Sequence, residues 1–201
     1  VREPRFGLED EPKWWVKRAQ ELPTGRKVLI KLVFLEEFEV SVGPLKFRCF
    51  RSPPKEARIL EKVAGHPGFM QGSAFDDPAG NSVRVLEIVP GLHLNEVVEG
   101  NPIAHEIYFH EVLPGLLKKF VIAVQDMAHL HSMGEVHGDI RRDHLIQHRQ
   151  TGRLVWIDFD YAYEQDRANR FAWDLFGLGN VLNYLVMAGA WTPARLRKEG
   201  Y

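Results

Sequence analysis

Cysteine is nearly absent from this chain: Cys49 stands alone among 201 residues. A lone thiol excludes an internal disulfide. No stretch shows the charged start, apolar middle and small-residue cleavage site of a secretory signal, so the expected setting is reducing and cytoplasmic. Excess charge of one sign is lacking too. Lys plus Arg number 26 against 27 Asp plus Glu, and the formal charge of -1 gives no field to draw nucleic acid or anionic lipid. In "IRRDH" (140 to 144) arginines sit beside acid, which makes no basic stripe and speaks against a nucleic-acid partner. The longest apolar tract, "LFGLGNVLNYLVMAGAW" (175 to 191), is interrupted by Asn180 and Asn183 and follows Asp174, so it reads as a buried core helix and no membrane span is expected. Internal repeats and low-complexity tracts are missing. What is present is a hydrophobic content of 45%, enough for the core of one compact domain or two small lobes.

Residues 1 to 26 read as an N-terminal extension broken by Pro4, Pro12 and Pro23, with a short helix expected over "KWWVKRAQEL". From Lys27 to Phe50 the text becomes β-branched and aromatic with period-two alternation, which predicts three antiparallel strands. A helix follows in "KEARILEKVAG", where Ala57, Ile59, Leu60 and Val63 share one face, and then a strand in "SVRVLEIV" (82 to 89). The rest is mostly helical. "GLLKKFVIAVQDMAHLHSMG" (115 to 134) predicts a long amphipathic helix, and "LIQH" and "RLVWIDF" flank a turn as a hairpin. The fold class is α+β: a β-rich first lobe over 27 to 86, a joint at 87 to 91 and a helical second lobe over 92 to 201.

Asp139 lies in a loop just after the long helix, and Asp158 ends a hairpin strand 19 positions later. Such a pair of carboxylates can meet at one point and suits Mg²⁺, which takes one or two protein oxygens and completes its shell from water and phosphate.

Here a resemblance enters. "HGDIRRDHLI" resembles the protein-kinase catalytic loop H-R-D-L-x-x-x-N, and "IDFD" resembles the metal-binding D-F-G. "KEARILEKVAGHPG" is similar to the helix bearing the kinase ion-pair glutamate, "VLEIVPG" to the hinge, and "WDLFGLGNVLNYL" to the buried helix with its anchoring aspartate. Together they run from about Lys27 to Ala190 in the family's order. The resemblance implies a two-lobed protein kinase-like fold of the compact, atypical bacterial kind, with a truncated helical lobe. It also implies an ATP- and Mg²⁺- or Mn²⁺-dependent phosphotransferase acting on a hydroxyl acceptor, protein or small molecule. Asp139 would accept the hydroxyl proton, Arg141 would neutralise the transferring phosphoryl group, Asp158 would hold the metal, Glu56 would be the helix glutamate, and the backbone of Glu87 and Val89 would meet adenine. Set beside these roles, Asp139 could simply cap a turn and Glu56 could be a solvated helix acid. His137 reads as a packed support of the loop, and Asp174 as an acceptor for its backbone.

The departures favour a different outcome, a pseudokinase serving as a nucleotide-binding or scaffolding module. His144 stands where the family has its second metal ligand, Asn, and imidazole suits Mn²⁺ better than Mg²⁺. Asp160 replaces the glycine of D-F-G and either helps hold cation or faces solvent. In the third strand V-A-I-K is absent, and "LKFRCFRSP" offers Lys46 and Arg48 on one face. Arg48 aligns with the missing lysine, unless it only covers the strand. "LVFLEEFEV" occupies the turn expected to cover phosphate, with glutamates in place of glycines, which predicts weakened nucleotide affinity. From Phe159 to Trp173 there is no Ser or Thr and no Ala-Pro-Glu, which argues against ordinary activation-loop control.

Overall fold

The computed structural model describes residues 13–42, 44–100, 103–164, 170–189 and 197–198. The protein is a mixed α+β chain, with strands concentrated in its N-terminal half and helices in its C-terminal half.

The first sheet joins β1 (Val16–Gln20), β2 (Lys27–Lys31), β6 (Ser82–Glu87) and β5 (Gly72–Asp76) in the order β1-β2-β6-β5. The helix expected over "KWWVKRAQEL" is therefore strand β1, and the sheet begins inside the expected N-terminal extension. Tertiary partners override local propensity here. Val16 pairs with Lys31 across the ladder, and the Trp15 ring stacks on Phe34 at 4.0 Å.

Three strands do form between Lys27 and Arg51, but they do not share one sheet. β3 (Glu37–Val42) and β4 (Leu45–Arg51) make a hairpin whose second strand pairs with β10 (Tyr161–Tyr163), far along the chain. Residues Leu32 to Glu36 carry the chain out of the first sheet and into this second one. Helix α1 (Pro53–Lys62) follows at once, its φ preset by Pro53 and Pro54, with Ile59 and Leu60 in the core.

After β7 (Gly91–His93) and helix α2 (Leu94–Glu99), a short helix α3 (His105–Ile107) widens into a π-turn at Tyr108–Val112 and then continues as α4 (Leu113–Ser132). Pro114 accounts for the widening, because it offers no N–H and its ring crowds the preceding turn. The expected hairpin is present as β8 (Leu145–His148) and β9 (Leu154–Trp156), with β7 on its other side. Helix α5 (Ala172–Val186) is the predicted core helix.

Phe69, Leu86, Met127, Leu130, Trp156, Phe159 and Leu185 come from both halves of the chain into one apolar cluster. Burying each is worth about 2 kcal/mol, so the cluster fixes the position of the loops between these elements. Two loops matter most, the one before β8 and the one after β9. Among the described residues, no helix is long and apolar enough to cross a membrane.

Candidate active site

The loop carrying Asp139 hangs from helix α5. Asp174 is fully buried and accepts the N–H groups of His137 (2.7 Å) and Gly138 (2.8 Å) together with Nε2 of His131 (2.8 Å). Burial works against its charge, but the bond from His131, the nearby His137 ring and the two amides hold its carboxyl below the usual range. His137 is a support rather than a reactant. Its Nε2–H donates to the Ile157 carbonyl, its Nδ1 accepts the Asp139 N–H, and burial pushes its pKa down to about 3. The loop is thus tied to α5 on one side and to the strand leading into Asp158 on the other.

Asp158 has a left-handed backbone, with φ of 67°. A non-glycine residue held there is strained, and such strain collects where a side chain must be aimed. Its carboxylate meets Lys31 Nζ at 2.5 Å. That ammonium also reaches Glu56 Oε1 at 3.1 Å and Asp160 Oδ2 at 3.0 Å. Burial works against the Lys31 charge, yet Asp158, Asp160 and Glu56 outweigh it and push its pKa up. Burial likewise opposes ionisation of Asp158, and Lys31, His144 and Arg51 overcome it to hold the carboxyl well below the carboxylate range.

Glu56 is completely buried, so it is not a solvated helix acid. Arg84 Nε holds its other oxygen at 3.0 Å. Asp160 neither faces solvent nor is left free for cation: it is buried between Lys31 and the Arg51 guanidinium, which reaches its oxygens at 2.9 and 3.1 Å.

His144 stands between the two expected carboxylates. Its Nδ1–H donates to the Asp139 carbonyl at 2.8 Å and lies 3.4 Å from Asp139 Oδ2. Its Nε2 therefore turns to Arg141 Nη2 at 3.2 Å and Asp158 Oδ2 at 3.7 Å. Arg141 also holds Asp143 at 2.8 Å and stands 3.8 Å from Asp139. Asp139 Oδ2 is buried without a hydrogen-bond partner. Burial raises the pKa of this carboxyl, with His144 and Arg141 opposing.

Lys31, Arg51, Arg141, Asp143, His144 and Asp158 line a cavity of about 350 Å³ together with the apolar Val16, Leu29, Met70, Leu86 and Ile157, while Asp139 adjoins two of these lining residues, His144 and Arg141. A concave site of mixed apolar and polar lining is the form of a small-molecule site. Beside it, the Glu87 N–H is taken by the Gln71 carbonyl, whereas among the described residues nothing meets the Val89 N–H.

Arg48 and Lys46 do not reach this cleft. Arg48 lies on the outer hairpin with Glu37 and with Glu164 (2.9 Å), and Lys46 pairs with Glu39 at 2.7 Å. The strand-borne lysine beside Glu56 is Lys31, from "VLIK" (28 to 31), which matches V-A-I-K at Val28, Ile30 and Lys31. Nearness to "FRSP" at the start of α1 favours Arg48, but β3 and β4 are interposed between the lysine strand and the helix. "LVFLEEFEV" likewise leaves the cleft after Lys31 and enters β3, while Lys13, Trp15 and Val16 supply the cleft wall on that side. Arg51 was missed altogether, since nothing in "FRSP" tells a buried arginine from a solvated one.

No family model matches the chain. Over 150 residues, 74% of its length, it is 25% identical to the death-associated protein kinase dapk-1 of Caenorhabditis elegans. That stretch is 10% of the relative, so the chain spans about a tenth of the length of the curated protein it matches. The similarity points to a protein kinase-like relationship.

Proposed function

We propose that the chain has a two-lobed protein kinase-like fold and is a phosphotransferase that passes the γ-phosphoryl group of ATP to a hydroxyl. The observation that carries this reading is that His144 stands within 3.4 Å of the Asp139 carboxylate and 3.7 Å of the Asp158 carboxylate, beside the Lys31–Glu56 pair. Adenine would pack on the apolar lining residues, with the Glu87 carbonyl and the Val89 N–H as backbone partners. Lys31 then points at the phosphates, Asp139 Oδ2 receives the acceptor's proton, and Arg141 balances charge on the transferring group.

The residues fit a divalent cation. Among the described residues, no three His, Cys, Asp or Glu side chains could hold a metal by themselves. A cation here would take Asp158 and His144 and draw its remaining ligands from phosphate and water, as Mg²⁺ and Mn²⁺ do at nucleotide sites. The imidazole of His144 favours Mn²⁺.

Thermal unfolding with ATP and either metal tests the reading. Nucleotide at a hundredfold excess over Kd stabilises by about 2.7 kcal/mol, which for a chain this size is a rise of about 5 to 10 °C. The rise should vanish in Asp158→Asn. No shift with either metal would end the proposal. A second reading, a nucleotide-binding scaffold, draws on the close pairing of Asp158 with Lys31. A metal-dependent shift without phosphoryl transfer to any hydroxyl or to water would favour it.

A further inference from the structure

The segment after Asp158 is built into the N-terminal half of the protein. The Asp160 carbonyl accepts the Ser52 N–H at 2.6 Å, Tyr161, Ala162 and Tyr163 pair with Arg51, Phe50 and Cys49, and the Glu164 N–H returns to the Arg48 carbonyl at 3.0 Å. Two cations reinforce this sheet. Arg51 binds Asp160 through Nη1, the Tyr161 hydroxyl through Nη2 (2.5 Å) and Glu36 through Nε (2.8 Å), and its guanidinium lies 4.2 Å from the Tyr161 ring centre.

Lys55, the neighbour of Glu56 on α1, is 5% exposed. It donates to the carbonyls of His137 (2.6 Å) and Tyr161, one in the loop that bears Asp139 and one in the strand that follows Asp158. One turn of α1 therefore reaches two ways, Glu56 to Lys31 and Lys55 to both loops. Gly138 permits the approach. Its φ is +85°, and a Cβ there would stand 2.1 Å from the Tyr161 carbonyl oxygen and 2.9 Å from Lys55 Nζ.

A buried ammonium is a poor choice for filling space, because desolvation costs more than an apolar side chain would. Its place, between the segments that carry both carboxylates, suggests a role in their alignment. We propose that Lys55 and Arg51 are positioning residues that keep residues 160 to 164 permanently docked, so that the site needs no modification or partner to assemble it. The inference rests on the phosphotransferase reading of the cleft. Segments of this kind elsewhere are ordered by phosphate pairing with arginine. Here residues 159 to 173 hold no Ser or Thr, the hydroxyls of Tyr161 and Tyr163 are already engaged by Arg51, Glu36 and the Arg170 carbonyl, and Lys55 grips backbone carbonyls, which no modification adds or removes.

The test compares the parent with Lys55→Met, Arg51→Met and the milder Arg51→Lys. Amide hydrogen exchange is read at residues 161 to 163 with helix α4 as the folding control, and steady-state transfer is read with Mn²⁺ and Mg²⁺. The proposal expects strong protection of these amides in the parent and at least a tenfold loss in the two Met variants, with α4 unchanged. It expects kcat to fall at least tenfold while KM for ATP moves less than threefold, and Arg51→Lys to recover part of both. Parent amides that exchange as fast as an open loop would overturn it, as would Met variants with undiminished protection or kcat. A parent that shows no nucleotide-dependent activity counts against the phosphotransferase reading, and the docking is then judged on exchange alone.

Discussion

Lys55 should leave a signature in the pH dependence of stability. Burial lowers its pKa from 10.5 to about 8, even with the Asp174, Asp160, Glu56 and Glu135 carboxylates nearby. At about 1.4 kcal/mol per unit, the folded protein disfavours the Lys55 charge by about 3 kcal/mol. Below pH 8 the ammonium is charged in both folded and unfolded chains, and the penalty is present in full. Between pH 8 and 10.5 the unfolded chain binds the additional proton, so stability contributed by this group rises with pH. Above 10.5 the amine is neutral in both states and the penalty is gone. Lys55→Met removes the titration. It also strips the His137 and Tyr161 carbonyls of a donor, a loss of about 1 to 3 kcal/mol each, which roughly offsets the relief at neutral pH. Parent and variant should therefore differ by no more than about 3 kcal/mol at pH 7. Urea denaturation of both at pH 7, 8, 9 and 10 isolates the residue, since other groups cancel in the difference. The parent should gain on the variant by about 3 kcal/mol in approaching pH 10.5. A difference that stays flat, or moves the other way, would refute the assignment of a charged, desolvated lysine at this position.

Further outcomes follow from the cleft. Lys31→Met leaves the carboxylates of Glu56, Asp158 and Asp160 without their shared cation, and breaking a buried pair in this way should cost about 3 to 5 kcal/mol, seen as a fall of about 10 °C in Tm at pH 7. Arg48→Ala and Lys46→Ala remove only exposed, solvent-screened ion pairs, so isothermal titration with metal and nucleotide should give the parent Kd; a tenfold loss would return them to the site. His144→Asn should exchange a preference for Mn²⁺ for one for Mg²⁺ in the same titration, and an unchanged ratio of the two affinities would remove His144 from the metal's ligands.

Much of the cleft was legible because its residues are held by short-range features. Asp139 follows a long helix and Asp158 ends a hairpin, and a helix face and a hairpin register are both written in local periodicity. Asp174 and His137 were legible through the resemblance of their motifs to the kinase anchoring aspartate and catalytic loop, and both do support the loop. The first 51 residues were harder. A period-two pattern announces a strand but not its neighbour, and β3 and β4 alternate as well as β2 does. Which of them carries the lysine that meets Glu56 depends on the pairing of β2 with β6 and of β4 with β10, and both pairings join distant parts of the chain. β1 was lost to a run that reads equally well as a helix until Trp15 finds Phe34.

Gly138 occupies the middle position of a motif that in the resembled family carries arginine. With the Tyr161 carbonyl where its side chain would begin, this position is closed to every other amino acid unless β10 first moves away. Lys55 Nζ stands 2.9 Å from the same point, so a side chain at position 138 would need Lys55 as well as β10 to give way. The two positions are thus expected to vary together among descendants of this chain, a pattern an alignment of its close relatives would reveal as a paired substitution.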